Sequence, residues 1–189
     1  MSPNRWEQPA IFLRSGDPEQ ENEPTLQYPG TLGARFTVIQ PSRGAVGVEN
    51  VRSKRYQLVR SDSSMTVAPF VGAVGYWSDK TQYLVTTNAP GTASGRNRLA
   101  GIFQNSVTPG NFCCVQLEGP ATVKLIDAVT QGNVILGAYV VGSATNAKAD
   151  VIAAATAPIN TPLGIVGSPL TFNTSDLTVV VDLAIPETT

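Results

Sequence analysis

The sequence contains no histidine, few charged residues and only two cysteines, and each shortage removes a class of function. Histidine is the side chain most often used for proton transfer near neutral pH, so serine triads and cysteine–histidine pairs are excluded in their usual forms. The two cysteines, Cys113 and Cys114, are adjacent, and neighbours on a strand point to opposite faces. We therefore expect two free thiols that pack as small apolar side chains, with no disulfide between them.

Charge and long apolar runs are also scarce. Only 14% of the 189 residues are charged and the net charge is −1, so no overall field draws the chain toward nucleic acid. No apolar run approaches the roughly 18 residues that cross a membrane. The first residues, MSPNRWEQPA, lack the apolar core of a signal peptide. We expect a protein made in the cytoplasm, with neither nucleic acid nor a membrane as a direct partner.

Strand-like segments dominate what is present, and the clearest group runs from Leu99 to Ile126. The turn residues Thr108-Pro-Gly-Asn111 separate its first two strands, and Gly119-Pro120 is expected to end the second. The middle strand, FCCVQL, is apolar on both faces, so we place it centrally between its neighbours. Three antiparallel strands are predicted here: Leu99–Gln104, Phe112–Glu118 and Ala121–Ile126.

Short apolar runs separated by Gly or Pro recur along most of the remaining chain. The last of them has the most regular alternation, because Leu177, Val179, Val181, Leu183 and Ile185 share one face. This pattern predicts an all-β fold, an antiparallel β-sandwich or barrel over residues 46–189, with one earlier strand, RFTVIQ. The other predicted strands are Met65–Ala68, Gly72–Trp77, Gln82–Thr86, Gly132–Val141, Asp150–Ala155, Pro162–Gly167 and Asp176–Ile185.

Residues 1–45 differ from the rest and are predicted to form an extended arm. They contain six of the fourteen prolines, which oppose helix interiors and central strands. A disordered tail is one interpretation, but such tails are depleted in aromatic residues. The other interpretation is an arm that lays its apolar side chains on a partner surface. Its candidate binding residues are Trp6, Ile11, Phe12, Leu13 and Tyr28.

Two charged segments are candidates for binding. The acidic run Asp17–Glu23 lacks the spacing of a Ca²⁺ loop, so we expect it to be solvated. The basic run Arg43–Arg60 could be a solvated strand edge or a patch that docks on an acidic protein surface. Nucleic-acid binding is the third alternative, but the run has no interleaved aromatic residues on which bases could stack. The candidate docking residues are Arg43, Arg52, Lys54 and Arg55.

No grouping of residues indicates catalysis, a metal or a cofactor. Ser53-Lys54 would have to act as a serine–lysine dyad from opposite faces of a strand. The sequence also contains three G-x-x-G motifs. They lack the GK[ST] sequence that ends a phosphate-binding loop, so we interpret them as turns between strands. We expect a protein that is not an enzyme.

Three stretches resemble the capsid decoration, or cement, proteins of tailed bacteriophages. They are RSKRYQLVRSDSSMTVAPFVGAVGYW, QYLVTT with RNRLAGIFQNSVTPGNFCCVQLEG, and GNVILGAYVVGSATNAKAD with PLGIVG and LTVVVDL. The resemblance covers residues 50 to 185 and rests on an order of strands and glycines. It implies a virion protein on the outside of an icosahedral head, a homotrimer that clamps neighbouring major capsid subunits. It implies no catalytic residues.

Two other classes stay open. A head-fibre or receptor-binding β module should expose an aromatic cluster, for which Tyr76, Trp77 and Tyr83 are the candidates. We expect these aromatic residues to belong to the core or to a trimer interface. An enzyme such as a depolymerase or peptidase would need paired carboxylates or a nucleophile in a cleft.

Overall fold

The computed structural model describes residues 17–25, 31–41, 51–92, 95, 98–127, 129, 134–152, 158, 161–168 and 177–185. The described residues form one eleven-stranded sheet, and the predicted all-β class is confirmed. Its strands are β1 (Asn22–Glu23), β2 (Arg35–Pro41), β3 (Val51–Ser61), β4 (Val74–Asp79), β5 (Leu84–Thr86), β6 (Leu99–Phe103), β7 (Phe112–Lys124), β8 (Tyr139–Gly142), β9 (Ala149–Ile152), β10 (Pro162–Ser168) and β11 (Thr178–Ala184).

Five strands close into a barrel in the order β3-β5-β4-β6-β7, because β7 also pairs with β3. The β3–β5 pairing is parallel, and the other four pairings are antiparallel. Buried side chains from these strands form one apolar cluster, with Val59, Val85, Phe103 and Val115 among its members. Because the barrel is closed, each of the five strands pairs with two others in it. An open sheet would instead leave unpaired backbone N–H and C=O groups along its two edge strands.

The middle strand of the predicted meander is central, as expected. β7 pairs with both β3 and β6, and its two cysteines are buried, free thiols. Cys113 packs in the barrel cluster, whereas Cys114 packs with Phe36, Tyr56 and Leu58 on the other side. The prediction of two thiols on opposite faces is confirmed.

The predicted break at Gly119-Pro120 is wrong, because β7 is one strand of 13 residues that bends there. Its first part pairs with β3, and from Glu118 onward it pairs with β11. Gly119 has φ +85, and a Cβ there would lie 2.3 Å from the backbone oxygen of Ser53. The buried Gln116 donates from Nε2 to the carbonyls of Glu118 and Pro120, at 3.0 Å each. Glycine therefore makes the bend possible, and Gln116 holds it while the strand passes from the barrel to the second half of the sheet.

The second half of the sheet continues in the order β7-β11-β10-β8-β9 and curls back, since a parallel bridge joins Leu125 to Ala149. The alternation predicted for the last strand is confirmed, because Leu177, Val179, Val181, Leu183 and Ile185 are all buried in one cluster. That cluster includes Val74, Tyr76 and Ile102 from β4 and β6, so the barrel and the second half of the sheet share a core.

Other predicted strands differ in extent. Met65–Ala68 is not a strand. In the predicted strand Gly132–Val141, the described residues begin at Val134 and the strand itself begins at Tyr139. Thr66 instead hydrogen-bonds through its backbone and side chain to Asn88, an arrangement that replaces strand pairing in this segment. The turn at Thr108–Asn111 is confirmed: the Asn111 amide donates to the Thr108 carbonyl, and Gly110 has φ +93.

Candidate functional site

The predicted arm residues Trp6, Ile11, Phe12, Leu13 and Tyr28 lie outside the described residues, as does Arg43 of the predicted basic patch. Arg52 lies on β3, but its side chain also lies outside the description. Two described parts of residues 1–45 belong to the main sheet, since β1 pairs with β7 and β2 pairs with β3. A boundary at residue 45 therefore does not separate the described strands.

The strand-edge interpretation is wrong for Arg55 and Arg60, where β3 has partners on both sides, whereas Arg52 and Lys54 lie where β3 pairs with β2 alone. β7 lies on one side of β3 from Arg55 to Arg60, and β2 and then β5 lie on the other side. Lys54 forms an ion pair with Glu19 at 2.7 Å, and Arg55 forms one with Glu118 at 2.6 Å. Intramolecular carboxylates thus meet two of the four charges that were predicted to dock on a partner.

The acidic run is not simply solvated, which corrects the prediction. Glu19 accepts hydrogen bonds from the Lys54 ammonium and from the Tyr56 hydroxyl at 2.7 and 2.5 Å. Burial acts to raise the pKa of Glu19, but the hydrogen bonds from Lys54 and Tyr56 and the Lys54 charge outweigh it and hold that pKa below its usual value. Glu21 is only 4% exposed. The acidic run that was expected to be solvated is therefore packed against the barrel.

An exposed apolar surface lies on the second half of the sheet. Ile152 and Ile165 are the cross-strand neighbours of Tyr139, so these three side chains share the face opposite the buried Val140 and Val151. Ile135 and Leu136 are exposed in the segment just before β8, which is tied to β10 by the hydrogen bond from the Gly137 amide to the Val166 carbonyl. We call Ile135, Leu136, Tyr139, Ile152 and Ile165 the outer patch. Leu136 is 66% exposed, Ile135 48% and Ile165 43%.

A cavity of about 160 Å³ lies at one end of the barrel. All five barrel strands reach this end: Gln57 comes from β3, Trp77 from β4, Ala100 from β6 and Leu117 from β7, and Tyr83 precedes β5. Barrel mouths are among the preferred positions for ligand pockets. We call this cavity the mouth pocket.

The mouth pocket has two features of a binding site. Trp77 and Tyr83 form an edge-to-face aromatic pair with ring centroids 6.3 Å apart, and Tyr83 is held at φ +52, which is uncommon for a bulky residue. Gln57 is only 2% exposed and donates from Nε2 to the Gly33 carbonyl at 3.1 Å. Its Oε1 is buried and has no hydrogen-bond partner within the described part of the chain. A buried acceptor in this state costs free energy until a donor reaches it.

The sequence pointed to the aromatic pair but not to this pocket. Tyr76, the third candidate aromatic, is fully buried in the core as expected, whereas Trp77 and Tyr83 line the cavity. Gln57, Arg35 and Lys80 also line it, and no spacing in the sequence joins these residues. A non-glycine residue with positive φ is visible only in the folded chain, so the strain at Tyr83 left no signal in the sequence.

Among the described residues, no three His, Cys, Asp or Glu side chains lie close enough to hold a metal ion. The part of the chain that is described has no helix long and apolar enough to cross a membrane. A scan of protein-family models and searches of curated proteins and of solved structures find no match to this chain. The resemblance to phage decoration proteins therefore stays a prediction.

Proposed function

We propose that this chain is a structural virion protein that decorates the outer surface of an icosahedral phage head and holds neighbouring major capsid subunits together, without enzymatic activity. The observation that carries the proposal is the outer patch. Contiguous apolar surface on a soluble protein marks an interaction site. The assignment to a phage head rests on the resemblance to capsid decoration proteins in the order of strands and glycines from residue 50 to 185.

The patch is assigned to contacts between copies of the chain, which would form a homotrimer. Ile152, Tyr139 and Ile165 form a row across the three strands β9, β8 and β10, and the other two patch residues come from the segment before β8. Neighbouring copies can bury this row without ordering its backbone, because the three strands are already paired. The capsid contact is assigned to the arm residues before Asp17, so that the major capsid protein is the partner of a separate segment.

The test is reattachment to heads that lack the protein. Purified full-length chain is mixed with such heads, and bound protein is measured by co-sedimentation and located by cryo-electron microscopy. We expect saturable binding to the outer surface and a higher temperature for head disruption. A chain that starts at Asp17 should fold but bind far more weakly. Failure of the full-length chain to bind would refute the proposal.

The truncation has to respect the described contacts. A chain that starts at Arg43 would lose β2 and the Glu19 contacts, leaving Tyr56 and Leu58 without their cover. A loss of binding by that shorter chain would then report damage to the fold. Removal of residues 1–16 alone leaves every described contact in place, so it tests the arm without this complication.

The trimer is tested with matched variants. Leu136→Asn and Ile165→Thr place polar groups in the outer patch, and Val71→Asn changes an apolar residue that is 49% exposed and outside the patch. Sedimentation velocity should show a trimer for the parent chain and for Val71→Asn, and a smaller species for the double patch variant. A parent chain that sediments as a monomer at micromolar concentration, or a patch variant that remains trimeric, would contradict the assignment.

A further inference from the structure

We propose that the mouth pocket binds an acidic pyranose, such as a hexuronic acid residue of a surface polysaccharide. The pocket is built entirely within one copy of the chain, so this inference does not depend on attachment to a capsid. It concerns a ligand site, whereas the proposed decoration role concerns contacts between proteins.

Size and shape select a single ring. A cavity of about 150 Å³ is large enough for benzene, and the mouth pocket, at about 160 Å³, is of that size. The rings of Trp77 and Tyr83 meet at 68° and form a corner rather than a parallel slot. A flat base stacks best between parallel faces, whereas a puckered sugar ring can place its apolar C–H face on one ring and its edge against the other.

The polar groups of the pocket select hydroxyls. Gln57 lines the cavity, and its Oε1 is buried with no hydrogen-bond partner among the described residues. It is an acceptor only, so the ligand that satisfies it must present a donor, and sugar hydroxyls are donors. The Gly33 carbonyl already holds Gln57 Nε2, which fixes the amide in the orientation that leaves Oε1 for the ligand.

The charge of the pocket selects an anion. Two lining residues, Arg35 and Lys80, are cationic, and no described lining residue is acidic. A carboxylate that enters the pocket gains attraction from Lys80, and charge-assisted hydrogen bonds are stronger than neutral ones. A neutral sugar would obtain the ring contacts and the Gln57 contact but not this attraction.

Binding can be followed through one tryptophan. The chain has two, Trp6 and Trp77, so Trp6→Phe leaves Trp77 as the only indole reporter. Glucuronate, glucose and adenosine monophosphate are titrated into this full-length variant and fluorescence is recorded. We expect a saturable change with glucuronate at a dissociation constant of about 1 mM, and binding of glucose weaker by about tenfold.

Variants locate the binding to the pocket. Lys80→Ala in the same background should weaken glucuronate binding by about fivefold and leave glucose unchanged, and Lys80→Glu should weaken it further. Lys148→Ala removes a lysine that pairs with Asp127 away from the pocket, and it should change nothing. Tyr83→Gly removes one ring while suiting the positive φ, and it should weaken both sugars.

Several outcomes would overturn the inference. They are no saturable response to glucuronate, equal binding of glucose and glucuronate, tighter binding of adenosine monophosphate, or glucuronate binding that Lys80→Glu leaves intact. If Tyr83→Gly loses its circular dichroism spectrum, the Lys80 and Lys148 pair still decides the result, because neither lysine is part of the buried core. A chain that binds glucuronate but not heads would support the pocket and refute decoration.

Discussion

The bend in β7 makes a quantitative prediction about Gly119→Ala. An alanine at φ +85 costs about 1–2 kcal/mol relative to glycine, because its Cβ crowds the following carbonyl. The new Cβ would also lie 2.3 Å from the Ser53 backbone oxygen, more than 1 Å inside an ordinary contact. Neither atom is on a flexible side chain, so β3 and β7 must move apart, at the cost of about 1–3 kcal/mol typical of overpacking. The expected loss of unfolding free energy is about 2–5 kcal/mol.

Two other glycines separate these contributions. Gly110 has a similar φ of +93, but its nearest neighbour for a new Cβ is the Ser63 Cβ at 3.8 Å, an ordinary contact. Gly110→Ala should therefore show only the conformational cost, about 1–2 kcal/mol. Gly91 has no atom within 4 Å of a new Cβ and no positive φ, so Gly91→Ala should be neutral or slightly stabilising.

Urea unfolding followed by circular dichroism measures all three variants. With a slope of about 2 kcal/mol per molar urea, the midpoint should fall by about 1–2.5 M for Gly119→Ala and by about 0.5–1 M for Gly110→Ala. The parent chain provides the reference slope for each variant. If Gly119→Ala and Gly110→Ala are equally destabilising, the close approach of β7 to β3 at the bend is refuted.

Three further predictions follow from buried polar groups. Glu19 has a pKa below its usual 4.5 in the folded chain, so its ionised form stabilises the fold above about pH 4.5, and this contribution disappears as the pH falls further. The difference in unfolding free energy between the parent chain and Glu19→Gln, measured in urea, should therefore shrink from pH 6 to pH 3. A difference that stays constant over this range would contradict the Lys54 contact. Burial raises the pKa of both Cys113 and Cys114, so a thiol reagent at pH 8 should label them only after unfolding, whereas rapid labelling of the folded chain would exclude their burial. Gln116→Leu removes the donor of two carbonyls at the bend and should lower the free energy of unfolding by about 1–3 kcal/mol in the same assay. An unchanged free energy of unfolding would show that the bend does not depend on these two hydrogen bonds.

Local sequence pattern determined the class of fold. Alternation from Leu177 to Ile185 marked one buried face, and both faces of FCCVQL were apolar because that strand is covered on two sides. The turn at Thr108–Asn111 was also readable, since proline and glycine each satisfy a backbone angle that the turn requires. These features depend on neighbours within a few residues, and so the sequence alone was enough to predict them.

Tertiary structure alone decided the bend, the docked acidic segment and the mouth pocket. Gly119-Pro120 usually ends a strand, but here β11 pairs beyond it and Gln116 holds the freed carbonyls. Glu19 is held by Lys54, 35 residues away, and Gln57 meets Trp77 and Tyr83 only when the barrel closes. Contacts of this kind form because strands that are distant in the sequence become neighbours in the fold. Alternation of apolar residues predicts which face of a strand is buried, but it does not predict which other strand will cover that face.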